Sequence, residues 1–191
     1  MNTAVPPRWY AGWLLSFLGF PLGGLPAVAI GGIDDLGSAI LGGGAAGLVI
    51  GAAQGLALGR LPVARAHADR SPQQLLIRWS ALSALGLAAG LAIGSAVVGY
   101  GTSASDLVTQ GLISGAGIGT AQAWAGRPWF GRRFAAVWMP AVTALWPLGW
   151  TVTRLAGVSV EDRFAVFGAT GALTFTALSG LVLVSVAREH H

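Results

Sequence analysis

Apolar residues run along this chain in long blocks, and the polar positions fall between the blocks rather than within them. Six stretches carry no charged side chain: Trp9–Ile33, Leu36–Gly59, Trp79–Ser105, Leu107–Gly126, Phe134–Thr153 and Phe164–Ala187. A helix needs about 20 apolar residues to cross the hydrocarbon core of a bilayer. The pattern predicts an all-α, polytopic membrane protein of six transmembrane helices, with one transmembrane domain over 1–188. Within the blocks, glycine recurs every fourth residue. Glycines 43, 47, 51 and 55 lead to Gln54, and glycines 111, 115 and 119 lead to Gln122. A weaker copy spans Gly168–Gly180, with Leu178 in the position of the glutamine. Such spacing puts a flat strip on one side of a helix, where another backbone can approach closely.

The strips belong to a longer repeat. Arg8-Trp9-Tyr10-Ala11, Arg78-Trp79-Ser80-Ala81 and Arg133-Phe134-Ala135-Ala136 each open an odd-numbered span. From each arginine to Gln54, Gln122 or Leu178 is 46, 44 and 45 residues. Trp13 and Trp138 both lie five residues after their arginine, and Phe20-Pro21-Leu22-Gly23 is similar to Trp146-Pro147-Leu148-Gly149. The chain divides into repeat one at 8–59, repeat two at 78–126 and repeat three at 133–187, with a loop at 60–77. Three parallel two-helix hairpins related by rotation give pseudo-threefold symmetry about the membrane normal. The repeat also argues against span one being a cleaved signal peptide, despite its Ala27-Val28-Ala29.

Composition agrees: 54% of residues are hydrophobic and 9% charged, against about 25% charged in soluble domains. All eleven cations are arginine, and nine of them (Arg8, Arg60, Arg65, Arg70, Arg78, Arg127, Arg132, Arg133, Arg188) fall on one side of the predicted topology. The opposite loops hold Asp34, Asp35, Asp106, Glu161 and Asp162, with Arg154 and Arg163. By the positive-inside rule both termini are cytoplasmic. Arginine without lysine, together with abundant Ala and Gly, suggests a GC-rich bacterial genome and the inner (plasma) membrane. The positive charge fits lipid headgroups, so membrane lipids are the expected partner and nucleic acid is not. The loop at 60–77 is expected to lie on the leaflet. Trp9, Trp79, Trp124 and Trp129 are expected as interfacial belt residues. Asp35, Asp106 and Asp162 are placed to cap the even spans.

Chemistry is sparse. There is no Cys, and His67 is the one histidine outside the terminal pair His190 and His191, which with 189–191 reads as a tag remnant. No metal site and no cofactor are expected. Three hairpins also describe mitochondrial carriers, but their Pro-x-acid-x-x-base signature is absent from the odd spans. Pro21, Pro26, Pro140 and Pro147 are expected to kink spans one and five.

Two glutamines inside apolar spans need partners. Gln54 and Gln122, with Trp13, Trp138, Trp146 and Trp150 as an aromatic wall, are the candidate ligand-binding residues. Three functions remain open. The first is binding or transport of a small neutral or apolar molecule between helices. The second is an intramembrane cyclase or isomerase, whose acids would be drawn from Asp34, Asp35, Asp106, Glu161 and Asp162. The third is a non-catalytic subunit that packs against a membrane protein partner or a second copy of itself.

Overall fold

The computed structural model describes residues 7–29, 32–66, 68–158 and 165–188. It is all-helical over these residues. The helices are α1 (Pro7–Leu15), α2 (Gly19–Ala29), α3 (Leu36–Leu58), the short α4 (Pro62–Arg65), α5 (Pro72–Val97), α6 (Ala104–Leu155) and α7 (Ala169–Arg188). Four of them, α3, α5, α6 and α7, are long and apolar enough to cross a membrane.

Three helix starts follow directly from local sequence. Asp35 caps α3: its carboxylate accepts from the Ser38 N–H at 2.7 Å, and the Ser38 hydroxyl accepts from the Asp35 N–H at 3.0 Å. Ser71 and Gln74 make the same reciprocal box at α5, with Pro72 in the first turn. At α6 the cap is Ser103, with Asp106 three residues on closing the box. Asp106 therefore works from inside the first turn rather than as the cap itself. Asp162 lies outside the described residues.

Two connections differ from the sequence expectation. The first apolar block is not one helix. A 3₁₀ turn at Ser16–Leu18 separates α1 from α2, and Pro21 removes the N–H that the Phe17 carbonyl would otherwise receive. In contrast, the arginine-rich stretch expected as a loop between spans four and five is helical. Arg127 and Arg132 lie within α6, whose only non-helical residue is Gly131 (φ 82°, ψ 179°). That left-handed φ suits glycine, and the chain turns there. Pro140 and Pro147 do not interrupt α6.

The long segments α2, α3, α5, the two parts of α6 and α7 pack antiparallel in succession. Added Cβ atoms measure how close the backbones come. At Gly19 and Gly23 of α2 they would meet Ala53, Ile50 and Ala46 of α3. At Gly43, Gly51 and Gly55 of α3 they would meet Leu87, Ser80 and Leu76 of α5 at 2.8–3.0 Å. Gly86, Gly90 and Gly94 of α5 face the α6 turns at Gly117, Ser114 and Gln110. Within α6, Gly111, Gly115 and Gly119 face Pro147, Trp146 and Met139 beyond the Gly131 turn. Gly171 of α7 sits on the Gly149 carbonyl. The series closes where α7 returns to α1: Tyr10 donates to the Ala177 carbonyl and Trp13 to the Thr176 carbonyl, each at 2.9 Å.

Alternation of direction gathers the start of α1, the end of α3, the start of α5, the Gly131 turn and the end of α7 at one end. Arg60, Arg65, Arg70, Arg78, Arg127, Arg132 and Arg133 lie there. Asp34, Asp35, Asp106 and Arg154 lie at the other. Between the ends the outer surface is apolar, with Leu22, Leu41, Leu48, Leu85, Ile93, Leu112 and Leu173 exposed. Buried polar residues are concentrated inside.

Candidate functional site: a buried amide pair between two indoles

Gln54 on α3 and Gln122 on α6 are 0% and 1% exposed. They lie on helices that do not pack directly on one another but flank α5, and their side chains meet over Ser83 of α5. The Gln122 amide nitrogen donates to Gln54 Oε1 at 2.8 Å and to Ser83 Oγ at 3.0 Å. Trp79 Nε1 donates to Gln54 Oε1 at 3.2 Å, and Trp138 Nε1 donates to Gln122 Oε1 at 3.0 Å. Indole N–H groups can only donate, so they fix which amide atom is oxygen on both glutamines. Gln54 Nε2 is left buried with no hydrogen-bond partner. Such an orphan costs on the order of 1–3 kcal/mol.

The space for two amides comes from one small residue. Ser83 follows Arg78 by five positions, the place that Trp13 and Trp138 hold after their own arginines. Trp13 packs edge-on against Trp138 at 6.0 Å, and Trp79 and Phe134 approach Trp138 at 5.8 and 5.5 Å. Where a third indole would stand, the serine leaves room that the glutamines fill. Leu178, in the position equivalent to the glutamines, is half-buried on α7.

The predicted ligand-binding residues thus divide. Gln54, Gln122 and Trp138 are bonded together, and Trp13 adjoins them through Trp138. Trp146 belongs to a second aromatic group nearer the acidic end, with Phe20, Phe167 and Phe175 at 5.9, 5.1 and 5.5 Å. Trp150 stands edge-on to Phe167 at 6.0 Å, its N–H buried without a partner. Sequence reasoning missed Ser83 and the burial of three tryptophans. Trp9, Trp79 and Trp129 are buried within the bundle rather than facing outward. Of the four expected belt residues Trp124 alone is exposed, at 58%.

The acids are not part of this interior. Asp34 and Asp35 are exposed at the start of α3, and Asp106 is half-buried in the first turn of α6; Glu161 and Asp162 lie outside the described residues. Hydrogen bonds from the Ser38 backbone hold the Asp35 carboxyl below its ordinary value of 3.8. A depressed folded-state pKa contributes stability that is complete above the unfolded value and is lost as pH falls through the folded one. Melting temperature should therefore drop on acidification below about pH 4, and Asp35→Asn should flatten that part of the profile. An unchanged acid limb in the variant would show that the cap is not titrating.

Among the described residues no group of three His, Cys, Asp or Glu could hold a metal ion. What the site offers is two neutral amides, one of them with free N–H donors, enclosed by indole rings. Comparison with protein-family models, with curated proteins and with solved structures gives no match.

Proposed function

We propose that this chain is an integral membrane protein of six spans that binds a small neutral molecule at the Gln54–Gln122 pair and carries it across the bilayer. The observation behind this reading is the unpartnered Gln54 amide nitrogen, fully buried among indoles. A buried polar donor without an acceptor in an apolar surround is unfavourable unless something binds it. The complementary molecule has one hydrogen-bond acceptor and an apolar body. The amides bear no charge to compensate an ionic cargo. The six-span count rests on α1 and α2 together making one pass and on α6 making two, folded back at Gly131. The pseudo-threefold repeat is supported by the matched positions Trp13, Ser83 and Trp138 and by Gln54, Gln122 and Leu178. Placing the arginine-rich end in the cytoplasm puts both termini there, in the bacterial inner membrane.

Asp35 and Asp106 are engaged in the capping boxes of α3 and α6 and Asp34 is exposed beside them, which favours a carrier over a cyclase or isomerase built on those three acids. The glycine strips are used between helices of this chain, which leaves little of them for a partner subunit. The test is to purify the wild type and Gln54→Leu in mild detergent and compare the small molecules that co-purify by mass spectrometry. A species present with the wild type and lost with a folded Gln54→Leu is the expected result. The same species on both proteins, with Gln54→Leu the more stable, would reduce the amide to packing and overturn the reading.

A further inference from the structure

The arginine-rich end contains a cluster that the amide site does not use. Pro128 has no N–H, so the Trp124 carbonyl, four residues earlier, loses its helical donor. Arg78 supplies one from α5: its Nη2 is 3.4 Å from the Trp124 carbonyl, and its guanidinium lies 4.6 Å above the Trp124 ring. One turn later Arg70 Nη1 donates to the Pro128 carbonyl at 2.8 Å. Arg127 is exposed between them on the same turn. Positions 124, 127 and 128 are neighbours on a helix surface, so three guanidinium groups are drawn to one turn of α6. Asp69, next to Arg70 in sequence and exposed, is the only carboxylate at this end among the described residues.

Two of these arginines are held by the fold whatever their charges prefer. Each spends few of its five N–H donors on a carbonyl. The cluster has spare donors and uncompensated positive charge, which suits the planar, multidentate recognition of phosphate. Its surroundings select the kind of phosphate. Trp124 is exposed beside it, and toward the middle of the bundle α5 exposes Ile77 and Leu85. A headgroup at the arginines would leave its acyl chains against that apolar surface.

We infer that Arg70, Arg78 and Arg127, with Trp124, form a binding site for the headgroup phosphate of an anionic phospholipid. Arg127 is the residue to test, because it makes none of the carbonyl contacts that hold α5 to α6. Native mass spectrometry of the full chain in detergent, titrated with phosphatidylglycerol or phosphatidylcholine of matched acyl chains, reads occupancy directly. The wild type is expected to retain phosphatidylglycerol in preference to phosphatidylcholine. Arg127→Gln should weaken retention about fivefold, the equivalent of about 1 kcal/mol for one surface cation on anionic lipid. Arg60→Gln, at the end of α3 beside Gly12, should leave it unchanged. Equal retention of the two lipids would overturn the site. So would an equal loss in Arg60→Gln, which would mean a diffuse charge effect. Displacement of the lipid by millimolar inorganic phosphate would point instead to a soluble phosphate ligand and overturn the lipid assignment.

Discussion

Gln122→Leu is expected to destabilise the bundle by roughly 2–4 kcal/mol, and Gln54→Leu by clearly less. The asymmetry follows from the bonding. Gln122 makes three hydrogen bonds, and its loss strands the buried Trp138 N–H and removes the donor to Ser83. Gln54 accepts two hydrogen bonds but also carries the orphan amide nitrogen. Leucine there strands the Trp79 N–H and at the same time removes the unpaired group. The double variant should cost less than the sum of the two by on the order of 1 kcal/mol, because the amide–amide bond is lost once in each single variant. Thermal or denaturant unfolding in detergent gives all four corners of the cycle. Equal costs for the two single changes, with no coupling, would contradict the network.

Gly47→Val should prevent assembly altogether. A Cβ at Gly47 would run into the Ser83 carbonyl, and Gly43 and Gly51 on either side leave only 2.8 Å to α5 backbone. Overpacking a core costs about 1–3 kcal/mol when side chains can move aside. Here the obstacle is main chain, so α5 itself must shift. Ser83 is also the residue across which the two glutamines meet, so the same shift disrupts their hydrogen bonds. Gly44 provides the contrast. Its Cβ would meet nothing closer than the Ala88 methyl at 3.8 Å, and Gly→Ala within a helix is favourable by up to about 1 kcal/mol. Gly44→Ala should match or exceed the wild-type melting temperature, while Gly47→Val should appear in the aggregate fraction on size exclusion. A monodisperse Gly47→Val with a wild-type melting temperature would refute the α3–α5 contact.

Glycine periodicity made much of this architecture legible, because a four-residue spacing has one dominant physical use in a helix. It pointed to the close approach that α3 makes to α5 and that the two parts of α6 make to each other. The boundaries of α3 were legible for a similar reason: Asp34 and Asp35 punctuate an uncharged run, and Asp35 is a strong cap. Helix phase was harder to see. Arg78 and Trp79 are consecutive, so they point about 100° apart on the helix. One can reach the surface while the other turns inward to Gln54, and a belt assignment made from adjacency misses this. A connection near Gly131 was expected, but its helical form was not, because arginines look like loop residues. Here Arg70 and Arg78 supply donors to carbonyls of the last helical turns, and a single glycine reverses the chain. Ser83 carried no signal by itself. It becomes informative only when aligned with Trp13 and Trp138, as the one small residue among three equivalent positions.

The return of α7 to α1 also constrains how the molecule is made. Contacts between consecutive segments can form as the chain leaves the ribosome, each new helix settling on the one before it. The acceptors for the Tyr10 hydroxyl and the Trp13 indole are the carbonyls of Ala177 and Thr176, which are synthesised after α1–α6. Until then the first helix carries donors for which hydrocarbon offers no substitute. A nascent chain that stops before α7 therefore has an unsatisfied N-terminal helix, a state on which membrane quality control could act. The locking of the first helix therefore waits for α7, the element that brings its two acceptors.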